Sequence, residues 1–236
     1  MFKVVWVARF NPKLTRQQAS AHWTDVHGPL GLKLDGMTGY VQNHVVGTIG
    51  ASGIVDGERA FDGYSCEWFS DRATFERMLR SPEWQAVVED GHEVFTMDSL
   101  EGMSAVVAPR VMRDGPHSPF KVAWFARWRG SLSRDEGSDY WLNVHGRIAL
   151  AVPGIDRYVQ NLVVGAVDAQ GVGDRPTAFD GFSECWFADQ IGYERAMATP
   201  EWEKLVVDGP NLLDMDALES GMSVIVEERV IRPEPR

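Results

Sequence analysis

The chain repeats itself. FKVVWVARF (2–10) returns as FKVAWFARW (120–128) with six of nine positions identical, and GYVQNHVVG (39–47) returns as RYVQNLVVG (157–165) with seven of nine. AFDGYSCEWF (60–69) pairs with AFDGFSECWF (178–187), and SPEWQAVV (81–88) with TPEWEKLV (199–206). All four blocks share a spacing of 118 residues; after Glu101 one residue is added, and GMS (102–104) recurs at 221–223. Units this long do not make a solenoid, which needs shorter and more numerous repeats. They predict two fused copies of one fold, residues 1–114 and 119–236, joined by the turn-rich stretch DGPHSP.

Each copy reads as β-α-β-β-α-β. Residues 2–10 are rich in Val, Phe and Trp and predict a strand. Thr15 with Gln18, and Ser133 with Glu136, form capping boxes that open a helix of about three turns. Residues 38–47 and 61–69 predict strands joined by a long loop. Asp71 starts a short helix with apolar Phe75, Met78 and Leu79, and Ser81-Pro82-Glu83 starts another. Residues 103–112 close the unit as a strand. The class is α+β, and the order is that of a ferredoxin-like unit, whose antiparallel sheet carries helices on one face. The other face also needs cover. A second copy supplies it, so the two βαββαβ units are expected to close on each other as an intramolecular α+β barrel with helices outside.

Charge narrows the partners. A net charge of −11 and a pI near 5.0 argue against nucleic acid and against an anionic membrane surface. No apolar run approaches the roughly 18 residues of a membrane helix. The chain starts at once on a strand, without a charged leader, so a cytoplasmic location is the default expectation. Cys66 and Cys185 are not repeat equivalents, since Cys66 matches Glu184. They predict buried small hydrophobes, with neither a disulfide framework nor a metal site.

The order and spacing of LTRQQASAHWTDVHGPL, GYVQN, FDGYSCEWF, SPEW and EDGHEVFTMD, matched by LSRDEGSDYWLNVHGRI, RYVQN, FDGFSECWF, TPEW and VDGPNLLDMD, resembles the EthD family of dimeric α+β barrel proteins. The resemblance covers nearly the whole of both copies. It implies a ferredoxin-like barrel that two chains usually assemble and that this chain builds alone, with a homodimer as a further expectation. It also implies a small aromatic or lactone-like substrate and acid–base chemistry with no metal or other cofactor. Relatives include cofactor-free methylmuconolactone isomerases and polyketide tailoring enzymes, and the wider superfamily has haem-degrading branches; fold alone does not choose among them.

His27 and His145 are the leading catalytic candidates. Trp23 and Trp141 precede them by four residues and share their helix face. A helix C-terminus favours the imidazolium, whereas burial beside Trp favours the neutral ring, which together suit proton transfer. The structural alternative is a capping histidine, with Gly28 or Gly146 ending the helix. Tyr40 and His44, with Tyr158 in the second copy, offer further proton donors or an oxyanion site. Asn43 and Asn161 lie on the opposite strand face. Gln42 and Gln160 read as a polar ladder, and Asp62 and Asp180 as turn or backbone-bonding residues. Arg9, Arg127 and Arg147 offer a planar fork for a substrate carboxylate, against an ordinary surface ion pair. Trp23, Trp141, Asn43 and Asn161 complete the candidate binding set.

The copies differ beside these residues. His22, His44 and His92 become Tyr140, Leu162 and Pro210; Pro29 becomes Arg147. The mismatch predicts specialised pockets, one working through His27, Tyr40 and His44, the other recognising through His145, Tyr158 and Arg147. The leading functional expectation is a cofactor-independent lyase or isomerase acting on a small aromatic or unsaturated acid or lactone. The alternative is a non-catalytic small-molecule-binding protein of a degradation pathway. Haem held by His27 or His145 has no motif in its support. The loops 48–60 and 166–178 read equally as lids or as packing arms.

Overall fold

The computed structural model describes residues 1–50, 53–55, 59–100, 102–168 and 171–235. Gly57 of the first long loop and Glu101 of the repeat comparison lie outside them. The first copy contains β1 (Phe2–Phe10), α1 (Arg16–His22), α2 (Gly28–Gly31), β2 (Met37–Gly50), β3 (Gly53–Val55), β4 (Gly63–Phe69), α3 (Arg72–Met78), α4 (Pro82–Val94), β5 (Phe95–Thr96) and β6 (Ala105–Arg113). The second contains β7 (Phe120–Ala126), α5 (Arg134–Tyr140), α6 (Gly146–Leu150), β8 (Arg157–Asp168), β9 (Gly171–Gly173), β10 (Gly181–Phe187), α7 (Gln190–Met197), α8 (Pro200–Leu212), α9 (Met215–Glu219) and β11 (Ser223–Arg232).

The helix starts follow their chemistry. Both capping boxes close, Thr15 with Gln18 and Ser133 with Glu136. Asp71 accepts from the Thr74 amide, and Ser81 accepts from the Trp84 amide ahead of Pro82. The expected helix stop at Gly28 does not occur. Residues Trp23–His27 form a π turn and the helix runs on through Gly28–Gly31, with Gly28 in ordinary helical geometry at φ −55°. Trp141–His145 repeats the π turn, so Gly146 does not end its helix either. The extra residue in each turn re-aims the side chains that follow it. Gln42 Nε2 reaches across from β2 to donate to the Trp23 carbonyl at 2.9 Å, and Gln160 does the same to Trp141 at 3.1 Å. These glutamines tie the π turns to the sheet rather than to each other.

The strands close a ring. Around it run β10, β7, β11, β2, β4, β1, β6 and β8, and β8 returns to β10. Each copy supplies four neighbouring strands, and the copies meet at two seams, β11 with β2 and β6 with β8. The two sheets therefore join edge to edge as well as facing one another, and the eight-strand barrel leaves no open edge in the ring. Alternation along the strands sorts side chains into two compartments. Val5, Val7, Tyr64, Cys66, Phe125 and Phe182 pack inside the barrel. Trp6, Ala8, Ser65 and Glu67 point outward, beneath the helices.

The barrel interior also holds a charged knot. Lys121 Nζ lies 2.6 Å from Glu184 and 2.6 Å from Glu228, and Lys3 Nζ lies 3.5 Å from Glu184. Tyr64 and Asn161 donate to Glu184 at 3.0 Å each. Burial alone would raise the Glu184 carboxyl, but Lys121 and Lys3 hold it far below the ordinary range.

The described parts of the long loops pack across between the copies. Ile49, on the β2–β3 arm, packs with Val122, Tyr158 and Ile225 of the second copy. Val167 and Val172, on the β8–β9 arm, pack with Val4, Leu34 and Phe69 of the first. No helix among the described residues is long and apolar enough to cross a membrane.

Candidate functional site

Each copy carries a cavity between the outer face of its sheet and its long helix. The first, of about 360 Å³, is walled by β1, β2 and β4 and roofed by α4 and the π turn. The second, of about 150 Å³, is built in the same way under α8. Three tryptophans line each: Trp6, Trp23 and Trp84 in the first, Trp124, Trp141 and Trp202 in the second. Glycine makes the wall possible. A Cβ on Gly63 would come within 2.4 Å of the Trp23 ring, and one on Gly181 within 2.7 Å of Trp141. The Gly of each FDG motif therefore lets an indole come close against the strand. The preceding aspartates bond backbone, as expected: Asp62 accepts from the Phe10 amide and Asp180 from the Trp128 amide, both at 2.8 Å.

His27 and Tyr40 reach the first cavity, and His145 and Tyr158 the second. Each histidine is held by an aspartate from the long helix. His27 Nδ1 lies 2.8 Å from Asp90, and His145 Nδ1 lies 2.7 Å from Asp208. A carboxylate on Nδ1 places the proton there, so Nε2 of the neutral ring is left as an acceptor. The second oxygen of each aspartate is also secured, by His22 at 2.8 Å in the first copy and by the Tyr140 hydroxyl at 2.7 Å in the second. The substitution of Tyr for His between the copies thus preserves one task. Hydrogen bonds from His27, then His22, hold Asp90 below the ordinary carboxyl range.

The cavities diverge at one strand position. β4 reads Cys66-Glu67, whereas β10 reads Glu184-Cys185. A strand turns successive side chains to opposite faces. Glu67 therefore faces the first cavity and Cys66 the barrel, while Cys185 faces the second cavity and Glu184 the barrel. Glu67 is buried, with Trp6 Nε1 donating at 3.1 Å and Ser65 Oγ at 3.2 Å. Burial pushes its carboxyl up to about 7, against the pull of those two donors. Burial likewise raises the Cys185 thiol well above its usual range, which leaves it inert.

Several sequence candidates lie elsewhere. His44 is outside the described cavity walls: its Nδ1 is 2.9 Å from Ser20 Oγ, its Nε2 is 3.2 Å from Gln42 Oε1, and its ring packs 4.3 Å from Trp23. Burial, then Arg229 and Arg16, lower its pKa to about 3, so it is a neutral structural ring. Asn43 and Asn161 belong to the barrel knot, accepting from Lys121 at 2.7 Å and from Lys3 at 2.8 Å. Arg9 Nε donates to the Ala60 carbonyl at 2.7 Å. Arg127 and Arg147 are exposed and line neither cavity. Glu67 and Asp90 were not singled out from sequence. The signal for Glu67 was present, because the CE-to-EC exchange at one register must swap faces. Asp90 and Asp208 share the 118-residue spacing, at the DG of EDGH and VDGP.

The EthD domain model matches residues 11–99 and 129–216, more than half of the chain and once per copy. The chain belongs to the EthD family. The barrel of this EthD protein is similar to that of an anthrone oxidase-like protein, at 10% identity and a TM-score of 0.60, covering 98% of this chain and 92% of that one. It is also similar to a mutant chlorite dismutase from Candidatus Nitrospira defluvii, at 8% identity and a TM-score of 0.52, covering 98% and 92%. At such identities the likeness is one of fold. No curated protein matches this EthD chain by sequence. Among its described residues no group of three or more His, Cys, Asp or Glu is placed to hold a metal ion.

Proposed function

We propose that the chain is an acid–base enzyme, an isomerase or lyase that moves a proton on a small ring-bearing molecule without a bound cofactor, and that it works in the first cavity. Glu67 carries this reading. A buried carboxyl with no cation beside it among the described residues gives the fold nothing, but with a pKa near 7 it exchanges protons readily at neutral pH. His27 faces the same cavity with its tautomer set by Asp90.

The division of labour follows from these states. His27 Nε2 takes a proton from carbon beside a carbonyl, and Asp90 steadies the imidazolium that forms. The Tyr40 hydroxyl accepts from Gln42 Nε2 at 2.9 Å, so its own proton is directed to an acceptor such as the developing oxyanion. Glu67, protonated below about pH 7, delivers a proton to a second carbon, which completes an isomerisation, or to a departing oxygen, which completes an elimination. The second cavity keeps the histidine and tyrosine but has Cys185 in place of the acid, and so lacks one half of the exchange. A pure binding protein would use the same tryptophan walls and would gain nothing from Glu67.

The test is solvent exchange. Cyclic enones, lactones and phenolic ketones are incubated with the protein in deuterium oxide and followed by NMR. Deuterium entering beside the carbonyl, and also at the second carbon with the latter slowed about 10²–10⁴-fold in Glu67→Gln, is expected. Binding without exchange across the panel would leave a binding protein and defeat the proposal.

A further inference from the structure

The charge on the first cavity's wall limits what it admits. Glu67, Asp98 and Asp168 line it, and Asp90 stands behind His27. Asp168 arrives from the second copy on the β8–β9 arm and pairs with Arg175 at 2.8 Å. Its counterpart in the first copy is Gly50, and no residue of the first copy lines the second cavity among those described. No lysine or arginine is among the described residues lining the first cavity, and the three arginines that offered a carboxylate fork lie elsewhere. The titratable groups sharing the cavity with Glu67 are Tyr40 from β2, His27 from the π turn, His92 from α4, Asp98, and Asp168 from the arm.

We infer that the first cavity takes an uncharged ring compound bearing a hydroxyl or carbonyl oxygen, and turns carboxylates away. The inference rests on the first cavity being the working site and adds the chemical class of its substrate. The ring lies among Trp6, Trp23, Trp84 and Val87. Its oxygen meets the Tyr40 hydroxyl or His27 Nε2. A ligand carboxylate in the same place would face Glu67, with no lysine or arginine among the described lining residues and Arg175 already paired with Asp168, and like charges in a desolvated pocket cannot both stay ionised. Acid substrates anchored by arginine, which the sequence allowed, are thereby set aside.

Matched probes separate the cases. Calorimetric titration compares 2-naphthol with 2-naphthoate at pH 6 and pH 8, on the wild type and on Glu67→Gln. Naphthoate enters only with Glu67 protonated, and one pH unit above a pKa of about 7 that proton is about tenfold scarcer. Naphthol is therefore expected to bind at least about tenfold more tightly than naphthoate at pH 8, with the gap closing at pH 6 and in Glu67→Gln. Equal or tighter binding of naphthoate at pH 8 overturns the inference, and a gap undiminished in Glu67→Gln overturns the part given to Glu67. Failure of both probes to bind overturns it together with the choice of cavity. Naphthol-selective binding without deuterium exchange sustains the inference and defeats only the enzymatic reading.

Discussion

Replacing Glu67 with Gln should stabilise the protein while stopping its chemistry. An ordinary glutamate titrates near 4.5, and buried Glu67 near 7. Folding raises this pKa, so the folded chain holds the proton more tightly than the unfolded chain. Stability is then full below about pH 4.5 and is lost progressively as pH rises to about 7. Each tenfold separation is worth about 1.4 kcal/mol, which puts the loss at about 3 kcal/mol at pH 8. Gln stays neutral, fits the same volume and still accepts from Trp6. The variant should gain about 3 kcal/mol over wild type at pH 8 and under about 1 kcal/mol at pH 5. For a chain of this size that is a rise in Tm of about 6–12 °C at pH 8. Urea unfolding at the two pH values, read by tryptophan fluorescence, measures it. A variant no more stable than wild type at pH 8, or a gain independent of pH, would refute the claim that Glu67 is an unpaired buried acid. A gain would mark Glu67 as a residue whose fitness for the site is set against stability.

Other substitutions probe the remaining parts. Glu184→Gln leaves Lys3 without its carboxylate in the barrel and should destabilise by about 3–5 kcal/mol in the same unfolding assay. Asp90→Asn should lower turnover about 10²–10⁴-fold with little change in far-UV circular dichroism, because it removes the acceptor that fixes the His27 tautomer. His44→Gln should keep turnover within a few-fold, since the ring lies outside the cavity; a loss as large as that of Asp90→Asn would return His44 to the catalytic set.

Most of the fold was legible because it is written in local chemistry and written twice. Thr15–Gln18, Asp71 and Ser81-Pro82 each fix a helix start within four residues, and the duplication shows that two sheets must find each other. The π turns were not legible. His-Gly-Pro reads locally as a stop, whereas Gln42 and Asp90, distant in sequence, hold the helix through it. The loop lengths did not reveal the crossing arms, because Ile49 and Val167 find their partners in the opposite copy. In the site, His27 and Tyr40 stood out by residue type, and so did His44 and the three arginines, which the structure places elsewhere. Place in the fold, not type, distinguishes them: His44 shares the outer face of β2 with Tyr40 but lies further along it, against Trp23 and Ser20. Glu67 shows the same point in reverse, as an ordinary acid made unusual by the side of the strand it occupies.

The central claim is that one of two similar cavities does the work. It is tested most directly by replacing His27 and His145 separately with Ala and measuring deuterium exchange on the same substrate. His27→Ala should lose about 10²–10⁴-fold, whereas His145→Ala should stay within a few-fold of wild type. Equal losses would contradict the account.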